Sequence, residues 1–295
     1  MGKFSNRIGR TSWLVKLLKK LLLAVSALAL FLVATQDFQI FPGALFAIMG
    51  VKNTAPKDVE EYRAVTKDGE KILVWRLAPP TRVRKEVVLL FHGNAESLTT
   101  FVKIQRWFAA HGFTSYAFEY RGYSGSSGFP SENGLYRDGE AAMDLLLTHE
   151  SLSPDDVVIF GNSVGTGPAA HVAQVYNVNS LVLIAPYVDL KSVVQEMPFM
   201  GYFAPFLWYR FPTSDYIKKL RDTCVISAHG KMDTTIPYNH SEKLQSLYVG
   251  NSSFKVVLSD NAGHYDIFGK THKQVINELD RCLSLNISRR AYAHG

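Results

Sequence analysis

Three patterns of apolar and polar positions follow one another along the chain, and each predicts a different kind of element. Short, nearly unbroken apolar runs occur at Val87–Phe91 and at about 113–119, 156–161, 180–186, 223–228 and 253–258. Runs of that length without an alternating polar face read as strands buried on both sides of a parallel sheet. Between them, apolar residues recur at helical spacing over about 97–110, 135–149, 164–176, 238–248 and 266–284. Strand and helix in alternation predict an α/β domain, a mostly parallel central sheet with helices on both faces. Ahead of it, residues 60–66 and 71–77 flank Lys67-Asp68-Gly69-Glu70 and read as a hairpin turned by Asp-Gly.

A second pattern occupies the N-terminus. Residues 21–35 are uncharged and almost wholly apolar, a little short of the roughly 20 residues that span a bilayer. Lys16, Lys19 and Lys20 can snorkel from one end, so an anchor helix is expected over about 13–35. A cleaved signal peptide is the competing reading, since a basic stretch before a run of this length fits one and Val33-Ala34-Thr35 offers small residues for cleavage. A further apolar segment, 38–51, favours the anchor: a released protein would have to hide it, whereas beside a membrane it would lie in the interface. Residues 1–52 are therefore assigned to a basic cytosolic end, the anchor and an interfacial segment, and 53–295 to one catalytic domain. At 295 residues, 47% of them hydrophobic, the chain is long enough for a single large core.

Charge sharpens this division. The formal net charge is +6, but Lys3, Arg7, Arg10, Lys16, Lys19 and Lys20 fall in the first 20 residues with no acid, and the remainder is balanced. The positive-inside tendency places that end in the cytosol and the bulk of the chain across the membrane. Nucleic acid is excluded as a partner, because no basic cluster with stacking aromatics marks the folded part. The only cysteines are Cys224 and Cys282. They lack zinc-like spacing and are expected to be buried free thiols, with a disulfide from strand to last helix geometrically open. Asn239, Asn251 and Asn286 begin glycosylation sequons.

The candidate chemistry begins at Gly161-Asn162-Ser163-Val164-Gly165, a Gly-x-Ser-x-Gly pattern between an apolar run and a helical one. A serine on so sharp a strand-to-helix turn needs neighbours without side chains, and the helix N-terminus beneath it favours developing negative charge. Ser163 is thus the candidate nucleophile. Downstream, Asp233 follows the strand at 223–228 and His264 follows the last strand, giving the order Ser, Asp, His that suits a triad of nucleophile, acid and base. Asp189 and Asp260 are the rival acids. Backbone N–H groups of Asn94, after Val87–Phe91, and of Val164 are the candidate oxyanion hole. His92 is read as a residue that pins this loop.

His92-Gly93-Asn94-Ala95, the stretch from Tyr120-Arg121-Gly122-Tyr123-Ser124-Gly125 to Gly134-Leu135, and the Ser163 elbow together resemble the membrane-anchored α/β-hydrolase-domain serine hydrolases, a family that includes lysophospholipases and protein depalmitoylases. The likeness covers roughly residues 60–284. It implies the α/β-hydrolase fold and serine hydrolysis, and says little about the substrate. The glycine-rich stretch after Tyr120 lacks the lysine and hydroxyl of a phosphate loop and is expected to form a wall of the active site.

Residues 188–221 form an insertion too long for a simple connection. Its aromatic residues Phe199, Tyr202, Phe203, Phe206 and Trp208 are the candidate lining of an acyl-chain pocket or membrane-facing lid. The expected function is hydrolysis of acyl esters or thioesters, lipid-like ones foremost, through an acyl-enzyme, with no metal or organic cofactor. A serine peptidase related to the oligopeptidases and a catalytically silent interaction protein are the alternatives.

Overall fold

The computed structural model describes residues 5–293, with side chains from 13 to 286. The side chains of Lys3, Arg7 and Arg10 lie outside the described residues. A long helix α1 (Ser5–Ala34) leads to two short ones, α2 (Gln36–Ile40) and α3 (Pro42–Ile48), and then to the hairpin β1 (Glu60–Val65) and β2 (Lys71–Leu77). The alternating part follows: β3 (Val87–Phe91), α4 (Leu98–Ala110), β4 (Thr114–Phe118), α5 (Glu132–Glu150), β5 (Val157–Asn162), α6 (Thr166–Tyr176) and β6 (Ser180–Ile184). After β6 come α7 (Leu190–Glu196), α8 (Thr213–Ile217), β7 (Cys224–Gly230), α9 (Asn239–Leu247), β8 (Phe254–Ser259) and α10 (Ile267–Ala293). The eight strands form one sheet in the order β1-β2-β4-β3-β5-β6-β7-β8. Only the β1–β2 and β2–β4 pairs are antiparallel.

The unbroken apolar runs have a direct cause. In β3, Val87, Leu89 and Phe91 enter one core cluster while Val88 and Leu90 enter the other. In β5, Val157 and Ile159 part in the same way from Val158 and Phe160. Successive side chains point to opposite faces, so a strand covered on both sides must be apolar at every position. Leu135, Met143 and Leu146 of α5 and Val172 of α6 cover one face; Phe101 and Phe108 of α4 and Val275 and Leu279 of α10 cover the other.

The N-terminal region both projects and docks. Trp13–Ala34 is a 22-residue span with mean hydropathy 2.2 and no fully buried residue, about 33 Å long at 1.5 Å per residue. Its length and composition suit a membrane anchor or a signal sequence. The segment 38–51, expected at a membrane interface, divides by face. Phe41 and Ala44 are buried in the main core, Phe41 packing edge-on against Tyr209 and Phe211. Leu45, Phe46, Ile48 and Met49 are exposed.

Two expectations change. Cys224 on β7 and Cys282 on α10 are joined in a disulfide, with Cα atoms 5.9 Å apart, and are not free thiols. Helix α10 crosses the sheet directly over β7, a proximity that spacing along the chain does not reveal. Asn286, on the inner face of α10, is buried beside Ser180 and the Asn179 carbonyl, so of the three sequons this one is closed to modification in the folded chain.

The bridge spans a sequence separation of 58, for which chain-entropy arguments give a stabilisation of about 4 kcal/mol. Replacing both cysteines with serine is expected to lower the unfolding free energy by about that amount in denaturant titration. Thiol titration of the unfolded, unreduced wild type should detect no free cysteine, and two reactive thiols would refute the pairing.

Candidate active site

At the end of β5 the chain reverses through one 3-10 turn, Ser163–Gly165, into α6. Ser163 sits at φ 51°, left-handed backbone that costs an L residue on the order of 1–3 kcal/mol. The flanking glycines follow from space. A Cβ on Gly161 would stand 2.7 Å from Ala169 Cβ, and one on Gly165 would stand 2.5 Å from both the Phe91 and the His92 carbonyl oxygens. The elbow is thus pressed onto the end of β3, which brings the loop after β3 to the serine.

His264, on the loop after β8, places Nε2 2.9 Å from Ser163 Oγ. Its Nδ1 lies 2.7 Å from Asp233 Oδ2. A carboxylate only accepts, so Nδ1 carries the proton and Nε2 is free to accept from the serine hydroxyl. The second oxygen of Asp233 accepts from the Thr235 and Ile236 amides at 2.8 Å each. Burial by itself would raise the Asp233 carboxyl, but His229, His264 and the Ile236 amide outweigh it and hold the group well below the usual carboxylate range. The rival acids have other partners. Asp189 caps α7 by accepting from Ser192 N, and Asp260 pairs with Lys231 at the surface.

Asn94 and Val164 both border a cavity with Ser163. A trans peptide points its C=O and N–H in opposite directions, so whatever grips one end aims the other. The carbonyl of the Gly93–Asn94 peptide accepts from His92 Nδ1 at 2.7 Å. The carbonyl of the Ser163–Val164 peptide accepts from Thr166 Oγ1 at 2.7 Å. Both gripping side chains are fully buried. The rest of the loop is held as tightly: Tyr120 donates to His92 O, Tyr123 donates to Asn94 O, and Glu96 Oε2 accepts from Gly93 N and Asn162 Nδ2.

His92 rests on a buried acid. Its Nε2 is 3.1 Å from Glu119 Oε1 in an ion pair. Burial would push the imidazole down, but the Glu119 carboxylate and the Gly93 carbonyl outweigh this and raise it. Nδ1 faces the Gly93 carbonyl as its donor, and Nε2 faces the Glu119 carboxylate. Glu119, Glu96, Tyr123 and Thr166 were not singled out in the sequence. Glu119 had one available signal, its place at the end of an apolar strand just before the Tyr120-Arg121-Gly122 motif. That motif is also redefined: Tyr120 and Tyr123 buttress the loop from beneath, and residues 121–132 line neither cavity that meets at Ser163.

Of those two cavities, one of about 440 Å³ has Phe101, Ile104, Phe160 and Phe268 as its apolar wall, with Lys103 and Lys270 also bordering it. The other, about 320 Å³, is apolar and runs beneath the insertion. Here the aromatic set separates. Phe203 and Phe206 line the cavity, whereas Phe199, Tyr202 and Trp208 are 85%, 84% and 65% exposed and do not. Residues 200–206 form a 3-10 helix, whose residues eclipse every third position. Met200, Phe203 and Phe206 therefore share the face toward the cavity, Phe206 at its rim with 59% of its surface exposed, and Phe199 and Tyr202 share the outer one.

A family profile described as "Serine aminopeptidase, S33" matches residues 82–250, a span holding Ser163 and Asp233 but ending before His264. The chain is 26% identical over 233 residues to "Uncharacterized protein YfhR" of Escherichia coli (strain K12), covering 76% of this chain and 79% of that protein. It is 28% identical over 229 residues to alpha/beta hydrolase domain-containing protein 17C of Xenopus tropicalis, covering 77% and 70%. The esterase Pf2001 of Pyrococcus furiosus shares the fold with a TM-score of 0.64 at 17% identity, over 79% of this chain and 96% of the esterase.

His92→Leu tests the grip on the Asn94 peptide. It removes the donor to Gly93 O and leaves the buried Glu119 without its charge partner, which costs about 3–5 kcal/mol in comparable buried pairs. Thermal unfolding should register that loss. Turnover of a short aryl ester should fall by roughly 10²–10³ in kcat with KM little changed, as when one oxyanion donor is lost. A full kcat in the folded variant would show that His92 does not aim the peptide.

Proposed function

This chain belongs to the serine aminopeptidase S33 family of α/β-hydrolases, and from that premise we propose that it is a serine hydrolase of long-chain acyl esters or thioesters. The observation that carries the reading is the unbroken line from Ser163 Oγ through His264 to Asp233. Ser163 attacks the acyl carbonyl while His264 Nε2 takes the hydroxyl proton. The resulting oxyanion is held by the Asn94 and Val164 N–H groups, and Asp233 stabilises the imidazolium. His264 then returns the proton to the leaving alcohol or thiol, leaving an acyl-serine. Water, deprotonated by the same histidine, releases the acid and restores the serine.

The acyl chain is assigned to the 320 Å³ cavity, which is lined by Tyr187, Val193, Met197, Met200 and the inner lid aromatics. This apolar wall favours an ester over a peptide substrate, since a peptide chain would bring polar groups that Phe203 and Phe206 cannot satisfy. We assign α1 as a retained anchor with the catalytic domain on the non-cytosolic side. The disulfide, which persists in oxidising compartments, supports that side, as do the six basic residues at the N-terminal end of α1 and ahead of it.

An activated serine reacts with fluorophosphonates and an ordinary one does not. Wild-type protein should be labelled, and Ser163→Ala should not. Asp233→Asn should lower kcat by about 10⁴ with the fold intact, while Asp189→Asn should leave kcat near wild type. Labelling that persists without Ser163, or folded wild type that resists the probe, would overturn the reading.

The acyl assignment has its own test. Each methylene buried in the cavity should improve transition-state binding by up to about 0.8 kcal/mol until it is filled. Medium and long esters should therefore exceed acetyl esters in kcat/KM below micellar concentrations, and alanine at Phe203 and Phe206 together should flatten that profile. A wild-type preference for acetyl esters would reduce the lid to core packing.

A further inference from the structure

The acyl cavity has a wall that does not belong to the catalytic body. Leu32 and Val33 near the end of α1, with Gln36, Gln39 and Ile40 of α2, border it opposite the lid. Positions 29, 32 and 33 share one face of α1, and 36 and 40 share one face of α2; each is at least partly covered while the span before them is exposed. The α2 face is fastened to the lid. Gln36 Oε1 accepts from Trp208 N at 2.8 Å, Gln36 Nε2 donates to Phe206 O at 3.4 Å, and Tyr209 donates to Asp37. Phe41, buried beyond them, fixes the register of the contact.

We infer that the membrane-proximal end of the anchor helix is part of the substrate site: Leu32, Val33 and Ile40 close the acyl cavity, and the ester's chain enters it sideways from the adjoining bilayer leaflet. The inference rests on the hydrolase reading of Ser163. The lid's outer aromatics fit the geometry. Phe199, Tyr202 and Trp208 are exposed on the insertion that this helix contacts, and the amphipathic rings of tyrosine and tryptophan settle at the level of lipid headgroups. The substrate class is accordingly a membrane-resident ester or thioester with a long unbranched acyl chain. A signal peptide cut near residue 35 would remove Leu32 and Val33 and open the cavity on that side. Retention of α1 therefore serves selectivity as well as location.

The test uses the full chain in phosphatidylcholine nanodiscs and compares kcat/KM for a dodecanoyl and an acetyl umbelliferyl ester. Leu32→Trp and Ile40→Trp, on two different helices, should each lower the dodecanoyl-to-acetyl ratio tenfold or more by filling the cavity. Leu30→Trp, on the exposed face of the same helix, should keep the ratio within twofold of wild type. A ratio that holds in both cavity variants would overturn the inference, and so would an equal fall in Leu30→Trp. Fluorophosphonate labelling of the same samples counts competent serines: if wild type is not labelled, the hydrolase reading itself fails, whereas normal labelling with an insensitive ratio removes only the role of the helix.

Discussion

The active site depends on a contact between two strand ends. Gly165, just past Ser163, lies against the carbonyl oxygens of Phe91 and His92 with no space for a Cβ. Because β3 and β5 are neighbours in the sheet, this pressure brings the loop after one to the serine after the other. Ser163 can hold its positive φ only while that contact over-determines it. The strain has a geometric return: the hydroxyl projects above the sheet, where the two candidate oxyanion peptides meet it. Everything else in the site either holds those two peptides still or reaches toward the hydroxyl.

Reaching it is a matter of span. β5 and β8 are separated by two intervening strands, a distance of about 14 Å at the spacing of hydrogen-bonded strands. Thus the loop carrying His264 must cross β7 and β6 and needs support on the way. Asp233 provides it from the end of β7 by dividing its oxygens, Oδ1 clamping its own turn through the Thr235 and Ile236 amides and Oδ2 facing the imidazole. Beneath it, buried His229 donates to Ile236 O at 2.9 Å and takes a hydrogen bond from Ser241, itself bonded to Ser227. The acid is therefore rigid because its turn is tied into the strand that carries it.

What the sequence discloses follows what each signal physically encodes. The sheet was legible because a strand buried on both faces must be apolar throughout, and the Ser163 elbow because its sterics demand glycine two residues away on each side. Less legible were features set by neighbours distant in the chain. The pairing of Cys224 with Cys282 depends on how α10 lies over β7, and the partner of His92 stands on the adjacent strand β4's C-terminal extension. The lid was read from aromatic content, which selected five residues, whereas its 3-10 period puts Phe203 and, at the exposed rim, Phe206 on the cavity and leaves Phe199, Tyr202 and Trp208 off it. Hydropathy similarly marked 38–51 as apolar without resolving its two faces, one buried at Phe41 and one exposed at Phe46 and Ile48.

That two-faced segment links location to chemistry. A tether that served only to retain the domain would need no fixed geometry, and a flexible linker after residue 34 would suffice. Instead one residue separates α2 from the span and one separates α3 from α2, and Gln36, Asp37 and Phe41 bind them to the segment that carries the lid. Such a joint fixes the orientation of the domain relative to the helix axis, so the exposed faces at Leu45, Phe46, Ile48 and Met49 and at the outer lid keep a constant relation to the end of the span. On the proposed topology, a substrate held in the leaflet would then meet the cavity at one depth and in one orientation. Positioning of that kind lowers the entropy lost on reaching the serine, which a mobile tether would leave unrecovered.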